Sequence, residues 1–553
     1  MQLSRRDTTF TLVGILMALF LGALDQTIVA TALPAIVADL DGVSRYAWVA
    51  TAYILASTVL VPIYGKLADV LSRKRIELFA VSTFLLGSFL SGAAGQFGPL
   101  PLLGDGMNQL IAFRALQGIG GAGLFAMAFI VIADLFPPRE RGKYQGLVGA
   151  AFALASLLGP ALGGLLTDNA TGWIPGVAGW RWVFYVNLPI GAVALWFIAA
   201  RMPPLRPPGG RQRLDVVAAA MLVAALVPLV LGLQLDRSSD PWTGARTLGL
   251  FGVALLFGAA FARRTLASSD PVLDLRLFRE RVFAVANLAA FLLGGVFLSV
   301  IIFMPLYLVN VVGVSATEAG IALIPLSLGV SAGSIGAGQL ASRLGRYKPI
   351  LLGSLVVLLV AGALLASLQV DSAYARVVWT MVLFGIGIGP GLPLYTLAIQ
   401  NATDERRLGQ ATSAAQFFRQ IGGAVGTAVM GGVLAGALSV GVAQLPELPA
   451  GVIDPSRFAG ESALAGTTLR PLLEEALGSD GAALADELEQ ALRGVFADAL
   501  GTIFGVLFWV MAAAALVTLF LPDRELRGGA PRERRAGGVR PAPTGARDGP
   551  PGS

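Results

Sequence analysis

Few side chains in this sequence are equipped for chemistry, and one of them sits where charge is costly. The stretch FLGALDQTIVATALP, residues 20–34, places Asp25 inside an apolar run. A carboxylate at the centre of a membrane helix costs about 2.5–3.5 kcal/mol on insertion scales, and such groups usually face a bundle interior or a water-filled path. Asp25 is therefore a candidate to bind and release a proton as its access to water changes; a polar contact that merely fixes its helix is the plainer alternative. The sequence contains no His and no Cys. That removes the commonest general base, the commonest metal ligand, thiolates and disulfides, so proton handling falls to carboxylates and no metal or other cofactor is expected. Arg114, in RALQGIGGAG at 114–123, is a second charge in an apolar run. It stays protonated and needs a partner, either as the movable counter-ion of a nearby acid or as half of a fixed ion pair. Paired acidic motifs for metal–diphosphate chemistry and a Walker-type phosphate loop are absent, and enzymatic activity is the least supported reading.

The elements that must carry these residues are membrane helices. Of 553 residues 55% are hydrophobic and 13% charged, with a mean hydropathy of +0.74, against about 25% charged residues in soluble proteins. Apolar runs without polar alternation predict helices rather than a barrel. Fourteen are expected, near 10–34, 46–64, 76–96, 109–135, 144–167, 180–200, 214–235, 247–263, 282–311, 317–341, 349–369, 376–400, 409–437 and 497–521. Arg5, Arg6 and the sequence Ala30-Thr31-Ala32 imitate a cleavable signal, but Asp25 interrupts the apolar stretch and an uncleaved first helix is predicted. Basic residues, among them Arg73, Lys74, Arg75, Arg139, Arg141, Lys143, Arg211, Arg213, Arg343, Arg346 and Lys348, fall in alternate joints. The intervening joints carry Asp39, Asp41, Asp105, Asp168, Asp240 and Asp371. This pattern predicts a cytoplasmic membrane location with both termini cytoplasmic, and it accounts for the net charge of +6 without nucleic acid.

An internal repeat sets the plan. Residues 65–75 read GKLADVLSRKR and residues 338–348 read GQLASRLGRYK, eight spans apart. The expected organisation is a six-helix half over 1–200, an inserted helix pair over 201–270 and a second six-helix half over 271–521. A long outer loop is expected at 438–496, with LRPLLEEAL and ADELEQALRGVF as helical pieces of a solvated cap. The Pro-, Gly- and Arg-rich tail, 522–553, is expected to be disordered and cytoplasmic. Two parallel halves suit a transporter that rocks about a central site.

With these motifs in order the chain resembles the major facilitator superfamily, and within it the fourteen-span drug:proton antiporter branch. The resemblance rests on LDQTIVATALP, WVATAYILA, GKLADVLSRKR, RALQGIGGAG, GPALGG at 159–164, WRWVFYVNLPIG and RQIGGAVG at 419–426. It implies an all-α integral membrane fold and proton coupling at Asp25 and Arg114. Gly65, Asp69, Arg73, Lys74 and Arg75 would form a latch for one access state, with Asp69 set against an Arg or a helix N-terminus and the three basic residues against lipid headgroups. Two departures stand out: Ser72 replaces the family's usual Gly, and Ser342 takes the place of the acid in the second copy, which predicts a weaker second latch. Gly159, Pro160, Gly163 and Gly164 are read either as close packing or as a bend that favours export. Gln26, Gln117 and Arg419 are candidate cavity residues, and Asp134 is expected to pair with Arg139 or Arg141. The leading expectation is a monomeric proton-coupled exporter of amphiphilic small molecules in contact with membrane lipids. An exporter of a lipid or self-made metabolite, or a solute symporter, stands as the alternative.

Overall fold

The computed structural model describes residues 4–42, 45–170, 172–174, 177–205, 213–235, 240–443 and 482–527. Fourteen helices in these residues are long and apolar enough to cross a membrane. The first six are α1 (Arg5–Asp39), α2 (Tyr46–Val70), α3 (Arg73–Ala93), α4 (Gly106–Leu135), α5 (Pro138–Asn169) and α6 (Gly179–Arg201). The next two are α7 (Val216–Leu233) and α8 (Ala245–Ala267). The last six are α9 (Arg281–Tyr307), α10 (Ala316–Leu344), α11 (Lys348–Ala366), α12 (Tyr374–Ala402), α13 (Leu408–Ala443) and α14 (Ala482–Leu519).

Local chemistry sets many of the boundaries. Ser4 caps α1 by accepting from the Asp7 amide at 3.0 Å, and Asp105 caps α4 through the Asn108 amide at 2.9 Å. Ser315 and Glu318 form a reciprocal capping box at the start of α10, and Gly345 ends that helix at φ +70, a conformation that favours glycine. Ser72, the departure from the family pattern, caps α3 by accepting from the Arg75 amide at 3.4 Å, a task to which a hydroxyl is suited and glycine brings no side chain.

Two expectations about boundaries are corrected. The last helix starts at Ala482, so ADELEQALRGVF is continuous with the last span rather than part of a separate cap; the apolar seam carried by Leu492, Phe496 and Leu500 runs unbroken into the membrane segment. At the other end of the expected loop, α13 continues to Ala443. LRPLLEEAL, Arg211 and the tail beyond Arg527 lie outside the described residues.

Within the first six helices α4 packs on α2 and α3, and α5 packs on α1; within the last six α9 packs on α13 and α14, and α10 on α12. The pair α7 and α8 pack on each other, with α7 also touching α2. The two halves meet chiefly where α2 lies on α13 and where α5 lies on α10. These are equivalent contacts, each made by the second helix of one half and the fifth of the other.

Candidate functional site

Asp25 lies inside the first half with no solvent exposure. Its carboxylate accepts from three donors. Arg114 Nη1 of α4 reaches one oxygen at 2.5 Å, while Gln117 Nε2 of the same helix and Asn187 Nδ2 of α6 reach the other at 2.8 and 3.0 Å. Arg114 Nη1 also donates to Gln117 Oε1 at 2.7 Å and Arg114 Nε donates to Val49 O at 3.3 Å. The guanidinium carbon lies 4.6 Å from the Tyr53 ring centroid and 5.8 Å from that of Phe184, so the cation has aromatic faces as well as a counter-ion. Asn187 Nδ2 continues to Ser88 Oγ of α3 at 3.0 Å, and Ser88 donates to Phe184 O at 2.9 Å. Five helices of one half are thus tied to one carboxylate.

Every group around Asp25 is a donor, and that has a chemical consequence. A proton placed on the carboxylate sets an O–H against N–H groups and takes away an acceptor, which frees Arg114 and Gln117 to change partners. Asn187 Oδ1 is buried without a hydrogen-bond partner, so rotation of that amide would present an acceptor to the new hydroxyl. Sequence reasoning gave Asn187 no role, although it is the only amide in its span. Gln26, beside Asp25, is exposed, so the buried acid lies one residue from an open surface. Gln117, a candidate cavity residue, is instead fully buried in this network.

The repeated loop motif lies at the seam between halves. The Asp69 carboxylate, at the end of α2, accepts from the Gly409 and Gln410 amides at 2.9 and 3.0 Å. Of the two environments open to it, it occupies the helix N-terminus, that of α13. A Cβ on Gly65 would collide with Ser413 and press on the Gly409 carbonyl, and one on Gly409 would strike Asp69 and Gly65. In the second copy Gly338 and Gly142 stand in the same mutual contact. The leading glycine of each repeat is therefore the residue that touches the opposite half. Further bonds join the halves nearby: Thr58 to Gln420 at 2.9 Å, Gln145 to Gln400 at 2.8 Å and Ser331 to the Gly149 carbonyl at 2.6 Å. The Asp69 and glycine contacts lie toward the end that carries the basic joints, whereas Thr58–Gln420 and Ser331–Gly149 lie nearer the middle of their helices.

Other charged residues depart from expectation. Arg73 is fully buried and binds Asp134 at 2.8 Å, so it does not face headgroups; Asp134 takes Arg73 as its ion-pair partner, with Arg141 near enough to attract it as well and Arg139 turned to the other half. The helical register of α3 turns Arg73 toward α4, while Arg75 points outward. Lys74 donates to the Ala199 carbonyl at 2.7 Å. Arg139 reaches across the seam to the Ser342 carbonyl at 3.2 Å, so where the second copy lacks an acid a base from the opposite half takes the contact. Glu77, one turn beyond Arg73, is fully buried with neither carboxyl oxygen hydrogen-bonded. Gly159 and Gly163 pack against Thr27, Thr31 and Ile28 of α1, whereas Gly164 has open space around it and α5 runs continuously through Pro160. At the opposite end Arg45 binds Asp105 at 2.9 Å, and that partner, with the Asn108 amide, holds the exposed Asp105 carboxyl below its ordinary range. Among the described residues no cluster of acidic, His or Cys side chains could hold a metal.

In the second half Arg419 of α13 lines a small, partly open pocket together with Leu293, Phe297, Val330, Ile388 and Leu392.

Comparison with known proteins gives a consistent result. The family model described as Major Facilitator Superfamily matches residues 15–427. The multidrug transporter protein MdtP of Bacillus subtilis is 36% identical over 531 residues, covering 94% of each chain. Multidrug resistance protein 3 of the same organism is 38% identical over 427 residues, 77% of this chain and 80% of that one. Among solved structures, a double-tryptophan mutant of XylE superposes with a TM-score of 0.60 at 13% identity, covering 94% of this chain and 97% of that one; this likeness concerns the fold.

Proposed function

The chain belongs to the major facilitator superfamily, and we propose that it is a proton-coupled exporter of amphiphilic small molecules working by alternating access. In this reading it is a monomer in the cytoplasmic membrane with both termini and the sealed, basic end on the cytoplasmic side. The carrying observation is Asp25: a fully buried acid whose three neighbours are all donors, one of them the Arg114 guanidinium. Its protonation state then decides whether α1, α4 and α6 share one network. The names of the relatives, which concern multidrug transport, support the efflux direction. The mirrored contacts of α2 with α13 and α5 with α10 supply the seal that must part when the other access state forms. One charge moved through 100 mV yields about 2.3 kcal/mol, enough for roughly a 50-fold gradient per charge.

The test uses proteoliposomes with an imposed pH gradient. Asp25→Asn keeps the side chain's shape, and it is expected to reduce gradient-driven transport to the leak of empty vesicles while the protein still inserts. Glu77→Gln is the control, because Glu77 bonds to no neighbour; it should retain gradient-driven transport. Wild-type transport that persists unchanged when the gradient is collapsed ends the antiport reading, and loss of coupling in the Glu77 variant alone moves the proton site.

A further inference from the structure

The two halves treat their intramembrane arginines differently: Arg114 is fully buried, Arg419 partly so. Arg114 has a carboxylate, whereas Arg419 has none: its Nη2 donates to Gln416 Oε1 at 2.6 Å, its Nε is buried without a partner, and no acidic side chain of the described residues pairs with it. Arg419 lies about three turns into α13, and the backbone of α9 presses on it closely enough that a Cβ on Gly294 would collide with its carbonyl. The pocket it lines is otherwise apolar, since the hydroxyl of Tyr395, the other polar lining residue, is already engaged with Thr518 at 2.6 Å.

An unpaired guanidinium in a membrane segment is costly unless a counter-ion arrives, and its planar fork suits a carboxylate held by two parallel bonds. A cationic ligand in the same pocket would face a fixed like charge, which acts against it. We infer that this pocket is an anion-recognising subsite: Arg419 binds the carboxylate of an amphiphilic anion whose apolar body rests on Leu293, Phe297, Val330, Ile388 and Leu392. The inference names the substrate class of the exporter proposed above and rests on that reading for transport, though not for binding.

Binding and transport are therefore measured separately on the full chain. In nanodiscs, with empty nanodiscs as blank, three matched fluorescent probes are compared: pyrenebutanoate, neutral pyrenebutanol and cationic pyrenebutyl-trimethylammonium. The wild type should bind the carboxylate about tenfold more tightly than the alcohol and the cation least. Arg419→Gln should bring carboxylate and alcohol to equal affinity, and Arg419→Lys should keep part of the preference as a point charge. Equal affinities in the wild type, preference for the cation, absence of binding, or an unchanged ratio in a folded Arg419→Gln protein each overturn the subsite. If Arg419→Gln fails to fold, the wild-type ranking still decides. Carboxylate preference in binding without gradient-driven movement of pyrenebutanoate in proteoliposomes leaves the subsite standing and removes the exporter reading.

Discussion

At the scale of the residue, the function turns on how few partners a buried charge has. Asp25 faces three donors and no acceptor, so any proton that arrives must be met by a rearranged neighbour. Asn187 is the neighbour with an unused acceptor. Replacing it with Ala is expected to slow gradient-driven transport about tenfold, the worth of one hydrogen bond of roughly 1.4 kcal/mol. Ser88→Ala, which leaves all three donors of Asp25 in place, should change the rate little. Initial rates at a fixed pH gradient check this, and equal losses in the two variants would reduce Asn187 to a packing residue. Asp25 and Arg114 were legible in the sequence because charge stands out against oil. Asn187 was not, since a single amide at the start of an apolar span carries no charge signal, and its relation to Asp25 exists only once α6 is laid against α1.

At the scale of the element, the seams are made by backbone rather than by side-chain volume. Gly65 with Gly409, and Gly338 with Gly142, bring helices of opposite halves to backbone contact, where small residues permit close approach. Gly338→Ala should wedge its seam apart at a cost of about 1–3 kcal/mol, shifting the balance between access states by roughly 5–150-fold. The state open at the basic end would gain, seen as faster labelling of a cysteine introduced at Ser334. Gly164→Ala, with open space around it, should leave labelling as in the wild type. The repeat that predicted two equivalent halves could be read directly from residues 65–75 and 338–348. Their partners could not, because Gly409 and Gly142 belong to no matching motif and are defined by what they touch. The direction of Arg73 was also hidden: in sequence it is one of three adjacent bases, and only the 100° step of the helix separates the inward residue from its outward neighbours. The edges of the expected outer loop differ for a related reason, as Glu- and Arg-bearing turns continue the last helix back to Ala482 without any break in periodicity.

At the scale of the whole molecule, the fourteen membrane-length helices include two halves that are held together along the α2–α13 and α5–α10 seams, a seal between them. The absence of Cys makes the chain a clean background for testing whether that seal has to open. Arg139 reaches the Ser342 carbonyl across the seam with the end of its side chain, so cysteines at these two positions should be joined by a reducible bis-thiol-reactive reagent about as long as that side chain. Cross-linking is expected to reduce transport at least about tenfold, with recovery on reduction. Full transport by the cross-linked protein would show that the halves do not part there. The overall plan was the most legible level of all, because span length, joint charge and repeat spacing follow from the bilayer itself.

The two edges of the sealed end are closed by unlike hardware. On one edge a carboxylate grips two amides from inside the protein; on the other an exposed guanidinium leans on carbonyls, within reach of ions and solvent. Behind that guanidinium the α5–α10 edge is held by the buried Ser331 and Gln145 bonds, so on opening the contact that solvent already reaches, Arg139 on its carbonyls, should let go before the dry bonds beneath it.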